Sequence, residues 1–246
     1  MDSPLRPSTA CPSRADSGQP HATGAPQETG ATQRVAALCH PTEASETDKI
    51  ETAQAEPVGL TRLREQLPLG QDLWVFGYAS LIWRPEFEAA EQHRTRVQGW
   101  HRALKMWSRV NRGSPERPGL VFALLPGGSC QGLVWRIPAQ QAQDTLGRLW
   151  AREMPLPVYT PRWLPCPTPQ GPVQALAFTL SRSHPSHTGP LSDQTYRDIF
   201  ATARGRFGTT LDYARETQAA LRQHGIEDRA LAALLRLAEP APILCG

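Results

Sequence analysis

The carboxylate of Glu153 lies in a sequence context that favours proton-transfer chemistry. Between two prolines, residues 141–154 repeat apolar side chains at helical spacing, at Leu146, Leu149 and Trp150. Glu153 follows Leu146 by seven residues, so the helical period places it on the same inward face. Burial of a carboxylate is costly, and the negative end of the helix dipole disfavours a further negative charge. Both effects raise the pKa of a carboxyl group toward that of a useful general base.

A surface position is the alternative for this residue. Helix ends are poorly defined by sequence, so Glu153 in the last turn can also reach water as an ordinary surface carboxylate. The helical period turns Arg148 and Arg152 toward solvent, away from the apolar stripe. The spacing alone does not decide between a catalytic and a surface role for Glu153.

A short loop of small residues after an apolar run is the second candidate for chemistry. Residues 73–76 predict a buried strand, which Gly77 interrupts. Residues 78–80 predict a tight loop, and the apolar cluster 81–83 returns to the interior. Backbone amides in a loop held from both sides bind carboxylates or oxyanions. The alternative is an ordinary turn at the end of a strand.

Composition and charge argue against several classes of function. The net charge of +3 is small for 246 residues and the arginines are scattered, so the sequence does not indicate a nucleic-acid partner. No apolar run approaches the roughly 20 residues of a membrane helix, and the first residues lack a secretory pattern. Five dispersed cysteines, and His184 and His187 without partners at ligand spacing, favour neither a disulfide framework nor a metal site. We expect a reduced, cytoplasmic setting and no membrane partner.

The chain divides into a polar tail and one folded domain. Residues 1–57 are rich in Ser, Thr, Pro, Gly, Ala and Gln, and such a segment cannot bury enough surface to offset its ordering entropy. We therefore expect a disordered N-terminal tail over 1–57. The domain over 58–246 is long enough to bury a core.

Apolar runs and turn signals predict an antiparallel sheet in the first part of this domain. Residues 94–107 are expected to form one or two strands, and further strands are expected over 119–125, 132–137, 158–164 and 173–180. In the first of these we expect Trp100, Leu104 and Met106 on the buried side. Residues 126–131 contain two glycines and predict the loop of a hairpin between the second and third strands.

The C-terminal part of the domain is predicted to be helical. Apolar residues recur at helical spacing over 196–203, 211–221 and 231–238. Ser192 is a candidate N-cap of the first helix, and Gly225 fits the position just after the second. We expect these helices to pack their apolar faces on the sheet.

The stretch from Val75 to Trp83 closely resembles the Val-Phe-Gly-Tyr-Gly-Ser-Leu-Ile-Trp signature of the ChaC-like γ-glutamylcyclotransferases. Only Ala79 departs from it, where the family has its second glycine. If that glycine requires a positive φ, alanine costs about 1 kcal/mol at this position. The segment 149–154 resembles the family's Arg-Glu-Met segment, and similar stretches occur at 114–122, 127–132, 208–213 and 225–228.

The resemblance implies an α+β fold, a small mostly antiparallel β-barrel with helices packed around it. It implies that Glu153 is the catalytic acid/base and that Tyr159 lies near it. The signature loop would hold the γ-glutamyl group of a small-molecule substrate through Val75, Phe76, Gly77, Tyr78, Ala79, Ser80 and Leu81. In the implied reaction the substrate's α-amine attacks its own γ-carbonyl, which requires neither a metal nor an organic cofactor. The products would be 5-oxoproline and Cys-Gly if the substrate is glutathione.

Several alternatives stay open beside this interpretation. The substrate could be another γ-glutamyl amine, because no residue measures the leaving group. An inactive binding relative is a further alternative, motivated by Ala79 and the arginine-rich surface. Arg112 is a candidate for the glycyl carboxylate of glutathione, although a loop arginine is usually only solvated. The sequence does not determine the oligomeric state.

Overall fold

The computed structural model describes residues 56–239. The predicted tail over 1–57 therefore lies almost entirely outside the described residues. In chain order the elements are α1 (Val58–Glu65), β1 (Leu73–Gly77), α2 (Ser80–Trp83), β2 (Glu91–Ser108), β3 (Gly119–Ile137), α3 (Ala139–Glu153), β4 (Thr160–Thr168), β5 (Gly171–Thr179), α4 (Asp193–Thr202), β6 (Arg204–Gly205), β7 (Gly208–Thr209), α5 (Thr210–Gln223) and α6 (Arg229–Arg236).

Five strands form one curled sheet in the order β2-β3-β1-β5-β4, and β6 and β7 form a separate two-stranded ribbon. The central strand β1 pairs antiparallel with β3 and parallel with β5. Because β1 is covered on both faces, its sequence is apolar without alternation. The predicted α+β class with a mostly antiparallel, barrel-like sheet and surrounding helices is confirmed.

Side-chain contacts join the two edge strands of this curled sheet. The Thr95 hydroxyl on β2 donates to the backbone oxygen of Pro167 on β4 at 2.8 Å. The guanidinium of Arg162 on β4 lies 5.7 Å from the ring centroid of Trp100 on β2. Positions 161, 165 and 167 of β4 are prolines, which have no N–H to donate to a neighbouring strand. Proline is tolerated in an edge strand where its position faces no ladder acceptor.

The predicted hairpin with a loop at 126–131 is wrong, because β3 runs through this segment without a turn. Its partner is β2, in one long antiparallel pair from Glu91↔Arg136 to Ser108↔Gly119. The glycines serve bulges instead, since Gly99, Gly127 and Gly128 all have positive φ where the pairing register shifts. The two long strands therefore bend together here and curl the sheet.

The predicted helices are confirmed with small changes in their bounds. Ser192 caps α4, with its hydroxyl accepting the Thr195 amide at 3.1 Å, and Gly225 follows α5 at φ 65°. The segment at 80–83 differs from its prediction, because Ser80 begins the helical turn α2 and does not end a loop. No helix among residues 56–239 is both long enough and apolar enough to cross a bilayer.

The core lies on both faces of the sheet. On one face, Leu73 and Val75 of β1 pack with the apolar sides of α1 and α3. On the other face, Phe76 packs with residues of α4, α5 and α6. Leu104 and Met106 are buried as predicted, and Trp100 is half-buried. The loop after β1 is consequently held between two parts of the core.

Candidate active site

The residues after β1 turn directly into the single helical turn of α2. Ala79 precedes this turn with φ −145° and ψ −115°. The positive φ considered for this position does not occur, so Ala79 carries no left-handed penalty. Its side chain is buried, with 6% of the residue exposed. The ψ of −115° nevertheless lies outside the main β and right-handed α regions, so the conformation is an uncommon one for alanine.

The backbone amides at the start of α2 are available to a ligand. The first N–H groups of a helix have no intrahelical acceptor. Within residues 56–239, no protein acceptor bonds the N–H groups of Ala79, Ser80 or Leu81. The carbonyls are occupied, because Ala79 accepts from Ile82 at 2.9 Å and Ser80 accepts from Arg84 at 2.7 Å. The turn is thus fixed through its oxygens, and its amides can face a negatively charged group.

A small cavity of about 30 Å³ adjoins this turn. The residues lining it are Tyr78, Ala79, Ser80, Leu81, Phe122, Glu153, Tyr159, Phe178 and Tyr213. Three of the chain's four tyrosines are among them, together with a single carboxylate. The lining therefore combines backbone amides, one acid and aromatic hydroxyls, which is a set suited to moving protons in an enclosed site.

Glu153 reaches the cavity because it is the last residue of α3 and lies on the helix's inward face. Leu146 and Leu149 of the same face are buried against the sheet, as predicted. The side chain of Glu153 is 16% exposed, so it does not extend freely into water. Burial raises the pKa of Glu153, Arg152 opposes this effect, and Glu86 adds to it.

The prediction that Arg152 points to solvent is wrong. Its Nε lies 3.0 Å from Oε1 of Glu153, and its guanidinium also pairs with Glu86 at 3.2 Å. The same group donates to the Ser80 hydroxyl at 3.2 Å and to the backbone oxygen of Arg84 at 2.6 Å. The helical period directs Arg152 toward solvent, but its long side chain bends back to pair with the buried carboxylate of Glu153. Arg152 thereby ties the end of α3 to the start of α2.

The tyrosines of the cavity keep their hydroxyl protons. Burial, followed by the charge of Glu153, raises the pKa of Tyr78 well above its usual value. Burial also raises the pKa of Tyr159 well above that value, with Tyr78 and Glu153 contributing. Burial raises the pKa of Tyr213 as well. These groups are therefore uncharged beside the carboxylate, and the Tyr78 hydroxyl donates to the backbone oxygen of Phe178 at 3.0 Å.

Comparison with known proteins identifies the family. Residues 73–240 match the family model described as ChaC-like protein. This chain belongs to the ChaC-like family. The match begins with β1 and ends after α6, so it includes every residue that lines the cavity.

Curated relatives of this ChaC-like protein have closely related names. It is 33% identical to the glutathione-specific γ-glutamylcyclotransferase of Escherichia coli K12, over 66% of this chain and 71% of the relative. It is 31% identical to the human glutathione-specific γ-glutamylcyclotransferase 1, over 58% of this chain and 67% of the relative. A crystal structure of a γ-glutamylcyclotransferase specific to glutathione from yeast matches with a TM-score of 0.61 at 22% identity. That alignment covers 68% of this chain and 96% of the other, and it shows the shared fold.

The structure brings most of the predicted site residues of this ChaC-like protein together. Tyr78, Ala79, Ser80, Leu81, Glu153 and Tyr159 all line the cavity. Val75 and Phe76 do not line it, because both are fully buried in the core beneath the loop. Gly77 has a packing role, since a Cβ at this position would lie 3.2 Å from Leu81 and from the Trp135 indole nitrogen.

Arg112 is not a solvated loop residue. Its guanidinium lies 5.0 Å from the ring centroid of Tyr213, and its side chain is 9% exposed. Its nearest carboxylate is Glu216, at 3.6 Å. Of the residues described here, Arg112 is not part of the cavity lining, but it stacks on Tyr213, which is. Arg112, which is predicted to bind a substrate carboxylate, is therefore separated from the cavity by the ring of Tyr213.

Three further residues line the cavity that the sequence did not indicate as site residues: Phe122, Phe178 and Tyr213. Tyr213 shares the buried face of α5 with Thr210 and Thr217, and its hydroxyl accepts the Phe122 amide at 3.4 Å. The available signal in the sequence was the helical spacing of Tyr213, which lies three residues after Thr210 and four before Thr217. Among residues 56–239, no group of three His, Cys, Asp or Glu side chains is arranged to hold a metal ion.

Proposed function

We propose that this ChaC-like protein is a glutathione-specific γ-glutamylcyclotransferase that releases 5-oxoproline and Cys-Gly. The observation that carries the proposal is the placement of one buried carboxylate, Glu153, in the same cavity as the free amides of residues 79–81. The names of the relatives from Escherichia coli and human support this choice of substrate.

The reaction requires one intramolecular attack and two proton transfers. The α-amine of the γ-glutamyl group bonds to its own γ-carbonyl carbon and closes a five-membered lactam. The bond from that carbon to the cysteinyl nitrogen breaks. The cysteinyl nitrogen takes up the two protons that the attacking nitrogen loses, and it leaves as an ammonium group. No water is consumed, so the protein needs only to hold the chain folded and to move protons. Positioning of this kind contributes roughly 7–11 kcal/mol in well-oriented intramolecular reactions.

Glu153 is the proposed proton carrier. As a carboxylate it takes a proton from the substrate's α-ammonium and delivers it to the departing nitrogen. It moves the second proton of the attacking nitrogen in the same way as the lactam forms. An amino group has a pKa of about 8, well above that of an ordinary glutamate. The raised pKa of Glu153, caused first by burial, narrows this gap and makes the transfer less unfavourable.

The amides of residues 79–81 are proposed to stabilise the negative charge on the γ-carbonyl oxygen or on the α-carboxylate. Backbone donors that are fixed before the reaction cost no reorganisation when charge develops. The ring of Tyr159 lies 6.2 Å from that of Phe178 and closes one side of the cavity. Because the hydroxyls of Tyr78 and Tyr159 stay protonated, they add no charge that competes with Glu153.

Arg112 is the proposed partner of the glycyl carboxylate at the far end of glutathione. Its contact with Tyr213 places a cation beside the cavity wall, and its pairing with the half-exposed Glu216 is weak at 3.6 Å. An arriving carboxylate can replace Glu216 as its partner. A γ-glutamyl amine without a carboxylate at this position would lack that contact.

The test is turnover by the purified protein, with separate measurement of 5-oxoproline and Cys-Gly from glutathione. Equal amounts of both products are expected, and chelators should not change the rate. Glutathione acetylated on its α-amine should be inert, because the nucleophile is blocked. Release of Cys-Gly from the acetylated compound would show a hydrolase that uses water. Faster turnover of γ-glutamyl-alanine than of glutathione would move the specificity to other γ-glutamyl amines.

A further inference from the structure

Arg102 of β2 is enclosed in the protein and directed at the signature loop. Only 4% of its side chain is exposed. Its Nε and Nη2 both donate to Oδ2 of Asp228, at 2.9 and 2.7 Å. A buried guanidinium is costly unless its donors are satisfied, and these two hydrogen bonds to one oxygen satisfy two of them. Asp228 thereby fixes the plane of the guanidinium.

The remaining nitrogen of Arg102 holds the backbone of the loop. Nη1 donates to the carbonyl oxygen of Tyr78 at 2.7 Å and to that of Gln131 at 3.0 Å. The Tyr78 carbonyl and the Ala79 N–H belong to one planar trans peptide, in which the two groups point in opposite directions. Holding the Tyr78 oxygen toward Arg102 therefore turns the Ala79 amide the other way, and Ala79 lines the cavity.

The second carboxylate oxygen of Asp228 connects this contact to the C-terminal helix. Oδ1 accepts the Leu231 amide at 2.9 Å, so Asp228 is the N-cap of α6. Leu231 and Leu235 of α6 are buried in the core. One carboxylate thus anchors α6 and the arginine together, and the anchor lies 126 residues from Arg102 in the chain.

We propose that Arg102 is a positioning residue, which orients the Ala79 peptide for substrate, and that Asp228 holds Arg102 in place. The assignment of a substrate to this peptide rests on the proposed function. The alternative is that the pair contributes only to stability, as a buried ion pair can. A positioning role changes turnover per folded molecule and the order of α2, whereas a purely structural role changes only the melting temperature.

The experiment compares Arg102→Lys and Asp228→Asn with a control, Arg136→Gln. Lysine keeps the charge, but one ammonium group cannot hold Asp228 and the Tyr78 oxygen with the planar geometry of arginine. Asparagine keeps the size of Asp228 but removes its charge. Arg136 also joins two carboxylates, Asp72 and Glu91, and none of these three residues lines the cavity. Each variant is assayed well below its melting temperature, and activity is expressed per folded molecule.

Two readouts are measured on the same preparations. The first is kcat and KM for glutathione, where both test variants should lose about 10- to 100-fold in kcat/KM, the loss typical of a small misplacement of a binding group. The second is hydrogen exchange at the Ile82 amide, which bonds the Ala79 oxygen at 2.9 Å. We expect exchange there to be about tenfold faster in both test variants and unchanged in Arg136→Gln.

The outcomes separate the two proposals. Turnover within twofold of wild type in the folded variants, or unchanged exchange at Ile82, overturns the positioning role. If Arg102→Lys does not fold, Asp228→Asn decides by the same two readouts. Failure of the wild-type protein to release 5-oxoproline overturns the proposed function, and the exchange measurement then still decides whether Arg102 orders the loop.

Discussion

Two clusters of this protein each join one arginine to two carboxylates, but the pKa of a glutamate is lowered in one cluster and raised in the other. The Arg136 cluster consists of Arg136, Asp72 and Glu91, and it lies where α3 begins, because Asp72 also accepts the Ala139 amide at 2.9 Å. Its carboxylates are about one-third exposed. The hydrogen bond from Arg136, opposed by partial burial and assisted by His93, lowers the pKa of Glu91.

The Arg152 cluster consists of Arg152, Glu86 and Glu153, and it lies where α3 ends. One of its carboxylates is exposed, but Glu153 is in the cavity wall. There the effect of burial exceeds the attraction of Arg152, and the pKa of Glu153 is raised. An arginine next to a carboxylate therefore does not by itself determine the direction of a pKa shift.

The position along the helix contributes to this difference. Asp72 lies at the positive end of the α3 dipole, where it accepts the Ala139 amide, whereas Glu153 faces the negative end. Burial and the dipole act in the same direction on Glu153, and both act against its charge. The Arg136 cluster has the features of a stabilising ion pair, and the Arg152 cluster has those of a site for proton transfer.

The largest difference between the clusters is expected from removal of one carboxylate in each. Glu153→Gln keeps size and removes basicity, so the rate should fall by roughly 10²–10⁴ or more. Its stability at pH 7 should hold or rise, since an amide is easier to bury than a charge. The matched control Glu91→Gln should keep turnover within about twofold. Initial rates and thermal melts on the same preparations check this, and near-wild-type turnover by folded Glu153→Gln would sink the mechanism.

Removal of the arginines is expected to have the next largest effect. Arg152→Gln takes away the cation that opposes the raised pKa of Glu153, so the acidic limb of the kcat/KM profile should move to higher pH. Turnover should fall most at pH values below the limb, where one unit of pKa changes the ionised fraction by up to about tenfold. Arg136→Gln should leave the limb in place. If the acidic limb moves equally in both variants, its pH depends on the net charge of the protein and not on the contact between Arg152 and Glu153.

A smaller shift in the opposite direction is expected from Glu86→Gln. Glu86 raises the pKa of Glu153, so its neutralisation should move the acidic limb to lower pH. The free energy of unfolding should change by less than about 1 kcal/mol, as for other exposed pairs. The pH profile measured beside that of wild type provides the check. A shift of the acidic limb to higher pH would contradict the conclusion that Glu86 raises the pKa of Glu153.

The smallest expected effect is on the pH dependence of stability through Glu91. Its folded-state pKa is lowered, so its contribution is fully present above its unfolded value of about 4.3 and is lost as pH falls through the folded value. Glu91→Gln should lower Tm at pH 7 by no more than about 2–4 °C. The gap between wild type and variant should close at acidic pH. A gap that persists at pH 2 would show that the glutamate stabilises by packing and not by charge.

Local patterns were sufficient to predict much of this protein. The apolar run of β1, the caps at Ser192 and Gly225, and the inward face of α3 all follow from residues close together in the sequence. The hairpin expected at 126–131 failed for a physical reason. A glycine with positive φ serves a bulge as well as a turn, and only the partner strand decides between them.

Arg102 shows that a sequence pattern can indicate the burial of a residue without identifying its partners. It belongs to a series at every second residue that also contains Trp100, Leu104 and Met106. The two-residue period of a strand therefore places Arg102 on the inward side with them. The period does not say that it meets Asp228 on α6 and the oxygen of Tyr78. A buried arginine in an apolar series is therefore a reason to look for a distant carboxylate.

The sequence by itself indicated the strand β1, the C-terminal helices and the apolar face of α3, because periodicity and caps act over a few residues. Only the tertiary structure decided which groups meet in the site. Tyr213 joins the cavity from α5, Arg152 turns from solvent to Glu153, and Arg102 reaches the signature loop. These contacts depend on the curl of the sheet and on the competition of charges for burial, and neither is encoded in a local pattern.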